Sequence, residues 1–455
     1  MNRNLKPTIF REYDIRGIAD LDLPSESVTE LGRAIGSYIL KQDGRHITLG
    51  RDCRLSSTRL HSALLEGLVS TGLTIIDIGE VPTPLLYFSV YDQNTDGGVM
   101  ITGSHNPGEF NGFKICVGKS TIYGEQIQQL RAMMDKGAFI RGKGLLKGAN
   151  VIDAYASKVI SDIQKPLHIK VVVDSGNGMA GVIAPSIYES LGCEVISIFQ
   201  EPDGRFPNHH PDPTVLKNLE TLITHVKDAK TLLGIAFDGD ADRIGVVDRS
   251  GRPIYGDELL VLYAREILKT NPGARIISEV KASHRLYNDI LEHGGVPVMW
   301  KTGHSLIKAK MKEVGALLAG EMSGHMFFSD RYFGYDDAIY AGARLLEILS
   351  LYNISPSELL ADLPPSCTTP EIRVDCDDDV KFDVVLKASD YLKGKGFRVN
   401  SIDGARVEFE DGWGLVRASN TQPVLVYRFE ASSESRINEI RDIIESAVRR
   451  FLPSH

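Results

Sequence analysis

Three aspartates at alternate positions, Asp238, Asp240 and Asp242, lie in the segment FDGDADR at 237–243. On an extended loop this spacing projects all three carboxylates to one side, where they repel one another unless a cation joins them. A calcium hand is excluded: the glycine and the closing glutamate that its loop needs are replaced here by Arg243 and Arg249. A small hard ion taking three carboxylates and one further oxygen suits Mg2+. A donor for that oxygen is offered by TGSHNP at 102–107, where the apolar run GGVMI ends in glycine, Ser104 and Asn-Pro. Such a turn exposes the hydroxyl as a nucleophile, and a phosphate carried on it would complete the ion's ligands. No GxSxG surrounds Ser104, so this is not a hydrolase elbow, and His105 reads as an ordinary turn residue.

Two further segments carry polar groups in useful patterns. In GEMSGH at 320–325, Glu321 can only accept hydrogen bonds and suits a pair of adjacent sugar hydroxyls, with Ser323 and His325 beside it. In RASNTQP at 417–423, after the strand WGLV, the fork of Arg417 with the donors of Ser419, Asn420 and Thr421 makes either a phosphate cradle or simply a turn.

Two nucleotide-binding patterns compete with this reading. The run Gly176-Asn177-Gly178-Met179-Ala180-Gly181 is a literal GxGxxG after a strand, with Glu201 further on, as a dinucleotide-dependent oxidoreductase would have. Against it, Asp174-Ser175 separates the first glycine from the strand, and nothing else suggests hydride chemistry. Gly118-Lys119-Ser120-Thr121 resembles the end of a phosphate-binding P-loop, but Phe113 stands where its first glycine belongs.

These segments must be positioned by regular elements, and three stretches share one plan: apolar strand, turn, amphipathic helix, glycine, second strand. They are HITLGRD at 46–52 with a helix to about Leu68 and TGLTIIDIG; HIKVVVDSGNG at 168–178 with SIYESLG and CEVISIF; and ARIISEV at 274–280 with LYNDILEHGG and VPVMW. Each is a parallel crossover unit, so an α/β class is expected, with three related α/β domains in series rather than one doubly wound sheet. After about residue 365 the pattern becomes strand, helix and several short strands broken at Asp403-Gly404 and Asp411-Gly412, then a closing helix from Ser433. This predicts a C-terminal α+β domain. The expected boundaries are 1–150, 151–252, 253–364 and 365–455, with Pro364-Pro365 as a linker and Asp377 to Asp379 as a solvated turn.

The totals agree with a folded multidomain chain. With 455 residues, one core does not suffice. A net charge of -9 opposes broad attraction to nucleic acid or anionic membrane, so an anionic ligand must be gathered by a local basic cleft. Five cysteines without a CxxC pair argue against a disulfide framework or a zinc site and fit a reducing, cytoplasmic setting. The N-terminus, MNRNLKPTIFREYDIRG, has no apolar run to serve as signal peptide or anchor.

The four chemistry-bearing segments, in this order and spacing, resemble the α-D-phosphohexomutase family, and within it the bacterial phosphomannomutase/phosphoglucomutase branch. FREYDIRG at 10–17, VPTPLLYF at 81–88, FPNHHPDP at 206–213, KTGHSLIK at 301–308 and FGYDDAIY at 333–340 extend the likeness nearly end to end. The resemblance implies four domains around a central cleft, each giving one loop. It implies a phosphoserine at Ser104, and Mg2+ held by Asp238, Asp240, Asp242 and a phosphoserine oxygen. Lys114 and Arg243 would flank the phosphoryl group, and Tyr13 and Arg16 would line the cleft. Glu321, Ser323, His304 and His325 would hold sugar hydroxyls, and Arg417, Ser419, Asn420 and Thr421 the phosphate that is not reacting.

The implied reaction interconverts hexose 1- and 6-phosphates of mannose and glucose through a hexose 1,6-bisphosphate, which also serves as activator. Met322 fits this dual-sugar branch; phosphoglucosamine or N-acetylglucosamine phosphate mutases are the sister alternative. Lys114 would act as general base only if its pKa were lowered, and His304 is the second candidate. The substrates are small phosphosugars, with no redox or nucleotide cofactor and no obligate protein partner. A non-catalytic sugar-phosphate binding protein is set apart by whether Ser104 accepts phosphate. The fourth domain is expected to close on each bound species and loosen for reorientation.

Overall fold

The strands Gly97–Ile101 and Leu233–Phe237 are buried along their whole length, as strands covered by helices on both faces must be. Each lies third in a sheet built on one plan. The computed structural model describes residues 5–163, 166–420 and 422–453, so the expected role of Thr421 falls outside the described residues. Within each of the first three sheets a strand crosses through a helix to a parallel neighbour, and a second helix leads back to a third strand on the first strand's other side. The chain then turns into an antiparallel fourth strand.

In the first sheet these four strands are His46–Arg51, Thr74–Glu80, Gly97–Ile101 and Phe110–Val117. In the second they are Lys170–Asp174, Glu194–Ile198, Leu233–Phe237 and Ile244–Asp248. In the third they are Arg275–Glu279, Val296–Trp300, Leu318–Gly320 and Met326–Phe328. The three repeats expected from the sequence are therefore parallel strand pairs. The short strand Pro253–Ile254 pairs with Ile244–Asp248, so the second sheet runs past the boundary expected at 252.

The connection from third to fourth strand recurs as residues 102–109, 238–243 and 321–325, and it carries the serine, aspartate and glutamate motifs in turn. After residue 365 the architecture changes as expected. An antiparallel sheet centred on Gly412–Ala418 and Val424–Ala431 is packed by the helices Lys381–Gly394 and Glu434–Arg449. The loop between those two central strands holds the fourth motif. No helix among the described residues is long and apolar enough to cross a membrane.

The cores show which parts pack together. One cluster fuses the second and third domains and takes in Leu85, Leu86, Tyr87 and Phe88 of the helix Thr83–Asp92 from the first. The C-terminal domain has its own core and meets the third domain through a small apolar contact of Trp413 and Leu415 with Val280. Met299 and Ile402 pack against that contact, and polar contacts adjoin it. Arg406, fully buried over the Trp413 ring, donates to the carbonyls of Val280 and Ala282, and Lys281 pairs with Glu371 at 2.5 Å.

Lys281 holds Glu371 down to about 2, against the opposing effect of burial. A carboxyl lowered in the folded state stabilises above its ordinary pKa of 4.5 and loses that contribution as pH falls through about 2. Hydrogen exchange should therefore show docking of the C-terminal domain weakening over that window. The stability difference between the native chain and Glu371→Gln should shrink over the same range.

Candidate active site

Ser104 sits at the tip of its loop with φ +49° and only 2% exposure. Its Oγ donates to Asp238 Oδ2 at 2.7 Å and lies 3.3 Å from His105 Nδ1. The loop is held from beneath by Arg54, a residue the sequence reading passed over. Its guanidinium donates to the carbonyls of Ser104, Asn106, Pro107 and Phe110 at 2.5–2.9 Å, and Asp52 balances its charge at 3.2 Å. Asp52 also accepts the backbone N–H of Gly103. Arg16 approaches the same loop through the side chain of Asn106 at 2.8 Å.

Asp238, Asp240 and Asp242 are fully buried, with carboxylate oxygens within 4.8 Å of one another. Asp240 accepts from the Thr83 hydroxyl at 2.5 Å, and Thr83 N–H donates to the Asp240 carbonyl, so the start of the helix Thr83–Asp92 fixes this member. Lys114 Nζ bridges Asp240, at 2.7 Å, and Asp242. Burial works against the lysine's charge, but these two carboxylates outweigh it and raise its pKa. This is opposite to the shift a general base at neutral pH requires.

Burial and the two neighbouring carboxylates push Asp238 well above the usual carboxylate range, whereas Lys114 overcomes burial and holds Asp240 down. Asp240 Oδ1 and Asp242 Oδ1 are buried without a hydrogen-bond partner among the described residues. Three converging carboxylates with unpartnered oxygens fit a hard divalent cation.

The glycine motif at 176–181 serves this loop instead of a dinucleotide. Met179 N–H donates to the Gly239 carbonyl at 2.9 Å, and a Cβ on Gly178 would lie 2.8 Å from the same oxygen. The close backbone approach that a pyrophosphate would need is thus filled by the chain itself. Gly118 likewise forms the tight turn between Phe110–Val117 and the short strand Ser120–Thr121, so a strand stands where a P-loop would start its phosphate-binding helix. On its other side Gly239 faces the serine loop: a Cβ there would lie 2.5 Å from the Ser104 carbonyl. Gly239→Ala should therefore lower the melting temperature, because backbone must move to admit the Cβ, and reduce turnover about 100-fold, the expected effect of shifting reacting groups by an ångström. Calorimetry beside a steady-state assay checks it.

In the third loop Glu321 is buried and accepts the N–H of Gly303 at 2.7 Å, and burial raises its pKa. Ser323 is half-buried, and His325 Nε2 accepts from Arg243 Nε at 3.0 Å. His304 stacks on His325 with ring centres 5.4 Å apart, and burial, then Lys308, lowers its pKa well below the usual range.

The fourth loop closes a ring of hydrogen bonds across three domains. Tyr13 Oη donates to the Thr302 carbonyl at 2.6 Å, Thr302 N–H donates to Asp403 at 3.0 Å, Arg417 Nε donates to the same carboxylate at 3.0 Å, and Asn420 donates to Tyr13 Oη at 2.5 Å. Ser419 Oγ accepts from the N–H of Gln422. The expected site residues that fall within the described region thus come from all four domains, with Arg417 already occupied by Asp403.

The chain matches all four domains of phosphoglucomutase/phosphomannomutase: alpha/beta/alpha domain I over residues 7–141, domain II over 151–251, domain III over 255–367 and the C-terminal domain over 371–447. The chain belongs to the phosphoglucomutase/phosphomannomutase family. It is 49% identical over 449 residues to a phosphomannomutase/phosphoglucomutase of Pseudomonas syringae pv. tomato, covering 99% of this chain and 97% of the relative. A phosphoglucomutase of Neisseria gonorrhoeae is 44% identical over 445 residues, covering 97% and 96%. The crystal structure of a phosphoglucomutase/phosphomannomutase family protein from Burkholderia thailandensis superposes with a TM-score of 0.92 at 44% identity, covering 98% of each chain.

Membership in the phosphoglucomutase/phosphomannomutase family makes the chain a mutase and agrees with the three similar domains and different fourth. The residues overlooked in the sequence act at a distance. Arg54 had one visible signal, an arginine two residues past an aspartate at the end of an apolar strand. Thr83 had only its place in VPTPLLYF, and the 3.3 Å approach of His105 to Ser104 follows from the turn's left-handed backbone.

Proposed function

We propose that the chain interconverts the 1- and 6-phosphates of glucose and mannose, with phosphate carried on Ser104 and a hexose 1,6-bisphosphate as intermediate. The observation that carries this reading is the Ser104 hydroxyl directed at Asp238 at 2.7 Å, inside a triad with unpartnered buried oxygens. Phosphoryl transfer needs little more than positioning and neutralisation of charge on the equatorial oxygens. Mg2+ held by Asp238, Asp240 and Asp242 would supply most of that neutralisation. Lys114 and Arg243 add two positive charges beside it, and Arg54 keeps the nucleophile's loop in register.

Glu321 and Ser323 are read as holding sugar hydroxyls, with Arg417, Ser419, Asn420 and Thr421 holding the distal phosphate. Lys114 is read as a charge neutraliser. Burial keeps His304, and His105 beside the nucleophile, in the neutral form, which supports them as proton acceptors in its place. Five unpaired cysteines support a reducing, cytoplasmic setting.

A phosphorus NMR time course with Mg2+, a trace of glucose 1,6-bisphosphate and the 1-phosphates of glucose, mannose or N-acetylglucosamine tests the reading. Conversion of the first two to 6-phosphates is expected; conversion of the amino sugar alone would place the chain with the sister mutases. Chelation of the metal should lower turnover about 100-fold or more, reversibly on adding Mg2+, because several kcal/mol of charge stabilisation is removed.

A further inference from the structure

The segment FGYDDAIY takes no part in the reaction described above, yet its Asp336 is fully buried at the centre of a charged cluster. Lys308 Nζ donates to Asp336 Oδ1 at 2.7 Å, and Asp336 Oδ2 faces His325 Nδ1 at 3.2 Å and His304 Nδ1 at 3.5 Å. The other nitrogen of His325 is the one bound to Arg243. An arginine Nε–H can only donate, so His325 Nε2 must accept and the ring's proton must sit on Nδ1. Two carboxylate oxygens lie near Nδ1, Asp336 Oδ2 at 3.2 Å and, further off, Asp242 Oδ1 at 3.6 Å, and neither Nδ1 nor Asp336 Oδ2 has another hydrogen-bond partner among the described residues. Lys114 engages the other oxygen of Asp242, so distance alone makes Asp336 Oδ2 the nearer acceptor.

We infer that Asp336, set in place by Lys308, is a positioning residue that fixes His325 in its Nδ1-protonated tautomer, so that Nε2 holds the Arg243 guanidinium toward the phosphoryl group in transfer. The inference rests on the role given to Arg243 above. A histidine's free nitrogen is set by what its other nitrogen meets, and this is how buried carboxylates orient ligating histidines in metal sites. The stacked ring of His304 holds the plane of His325, but it cannot choose between tautomers; the Asp336 carboxylate can. An amide in its place can turn its NH2 toward Nδ1, which moves the ring proton to Nε2 and sets it against the Arg243 N–H.

The test uses the full chain, with Mg2+ present and 15N-labelled histidine, and reads which ring nitrogen of His325 carries hydrogen from two-bond 1H–15N correlations. The native chain should show Nδ1–H alone. Asp336→Asn should shift His325 toward Nε2–H and lower kcat about 10- to 100-fold, the usual cost of removing a histidine's orienting partner, with KM for the hexose phosphate unchanged. In a His325→Gln background the same substitution should lower kcat several-fold less than it does in the native chain, the remainder passing through His304, which Asp336 also faces.

A native His325 carrying hydrogen on Nε2 overturns the inference, and so does an equal loss of kcat in the two backgrounds. If Asp336→Asn does not fold, the native tautomer still decides. Should the chain turn over no hexose phosphate, the proposed function fails, while the tautomer measurement continues to stand for or against Asp336.

Discussion

The Ser104→Ala chain should bind hexose phosphate and fail to isomerise it. Removing a covalent nucleophile costs on the order of a millionfold in kcat in enzymes where such a group acts as a unit with its partners. Here the rest of the site should survive the change. Asp238 Oδ1 keeps the backbone N–H groups of Asp242 and Arg243, and the loop keeps its four carbonyl bonds to Arg54. The stability lost should be about 1 kcal/mol, the net worth of the bond to Asp238. Titration calorimetry should give near-native affinity for glucose 6-phosphate, and phosphorus NMR should find neither turnover nor a protein-bound phosphate. Native turnover in this variant would end the phosphoserine reading.

Arg417→Ala should raise KM by two orders of magnitude or more, because truncating one member of a buried, hydrogen-bonded charge pair costs about 3 kcal/mol. Part of such a loss can arise inside the protein, since Asp403 would keep only the Thr302 N–H. Asp403→Asn separates the two contributions: it breaks the internal pair, leaves the guanidinium, and should tighten substrate binding by removing a competitor for the fork. If Arg417→Ala leaves KM at its native value, the fourth loop is a turn and the distal phosphate is held elsewhere.

The architecture could be read because its determinants are local. An apolar strand, a helix with one apolar face and a second strand can pack in few ways, so HITLGRD, HIKVVVD and ARIISEV each declared a parallel pair. The loops at 102–107 and 237–243 could be read because their chemistry lies within one short segment. What escaped depends on contacts between distant segments: Arg54 with Ser104, Thr83 with Asp240, and Asp336 with His325. Lys114 was expected beside the phosphoryl group, and the structure sets it on Asp240 and Asp242, because three buried carboxylates attract the nearest cation. The GxGxxG pattern, set aside as a dinucleotide site, has a physical reason of its own. Glycine spacing reports that a backbone must come close, and Gly239 satisfies that demand as well as a pyrophosphate would.

The third loop joins two kinds of position only a few residues apart. Met322 and Ser323 are half-exposed, whereas His325 is buried against Arg243 from another domain and against Asp336. Energetic coupling follows contact, so substitutions at Met322 or Ser323 should combine additively with changes in the serine and aspartate loops, and those at His325 should not. Sugar preference can therefore drift at one end of the loop without disturbing phosphoryl transfer. At its other end a single change is felt in two domains at once and is tolerated only with a matching change in its partners.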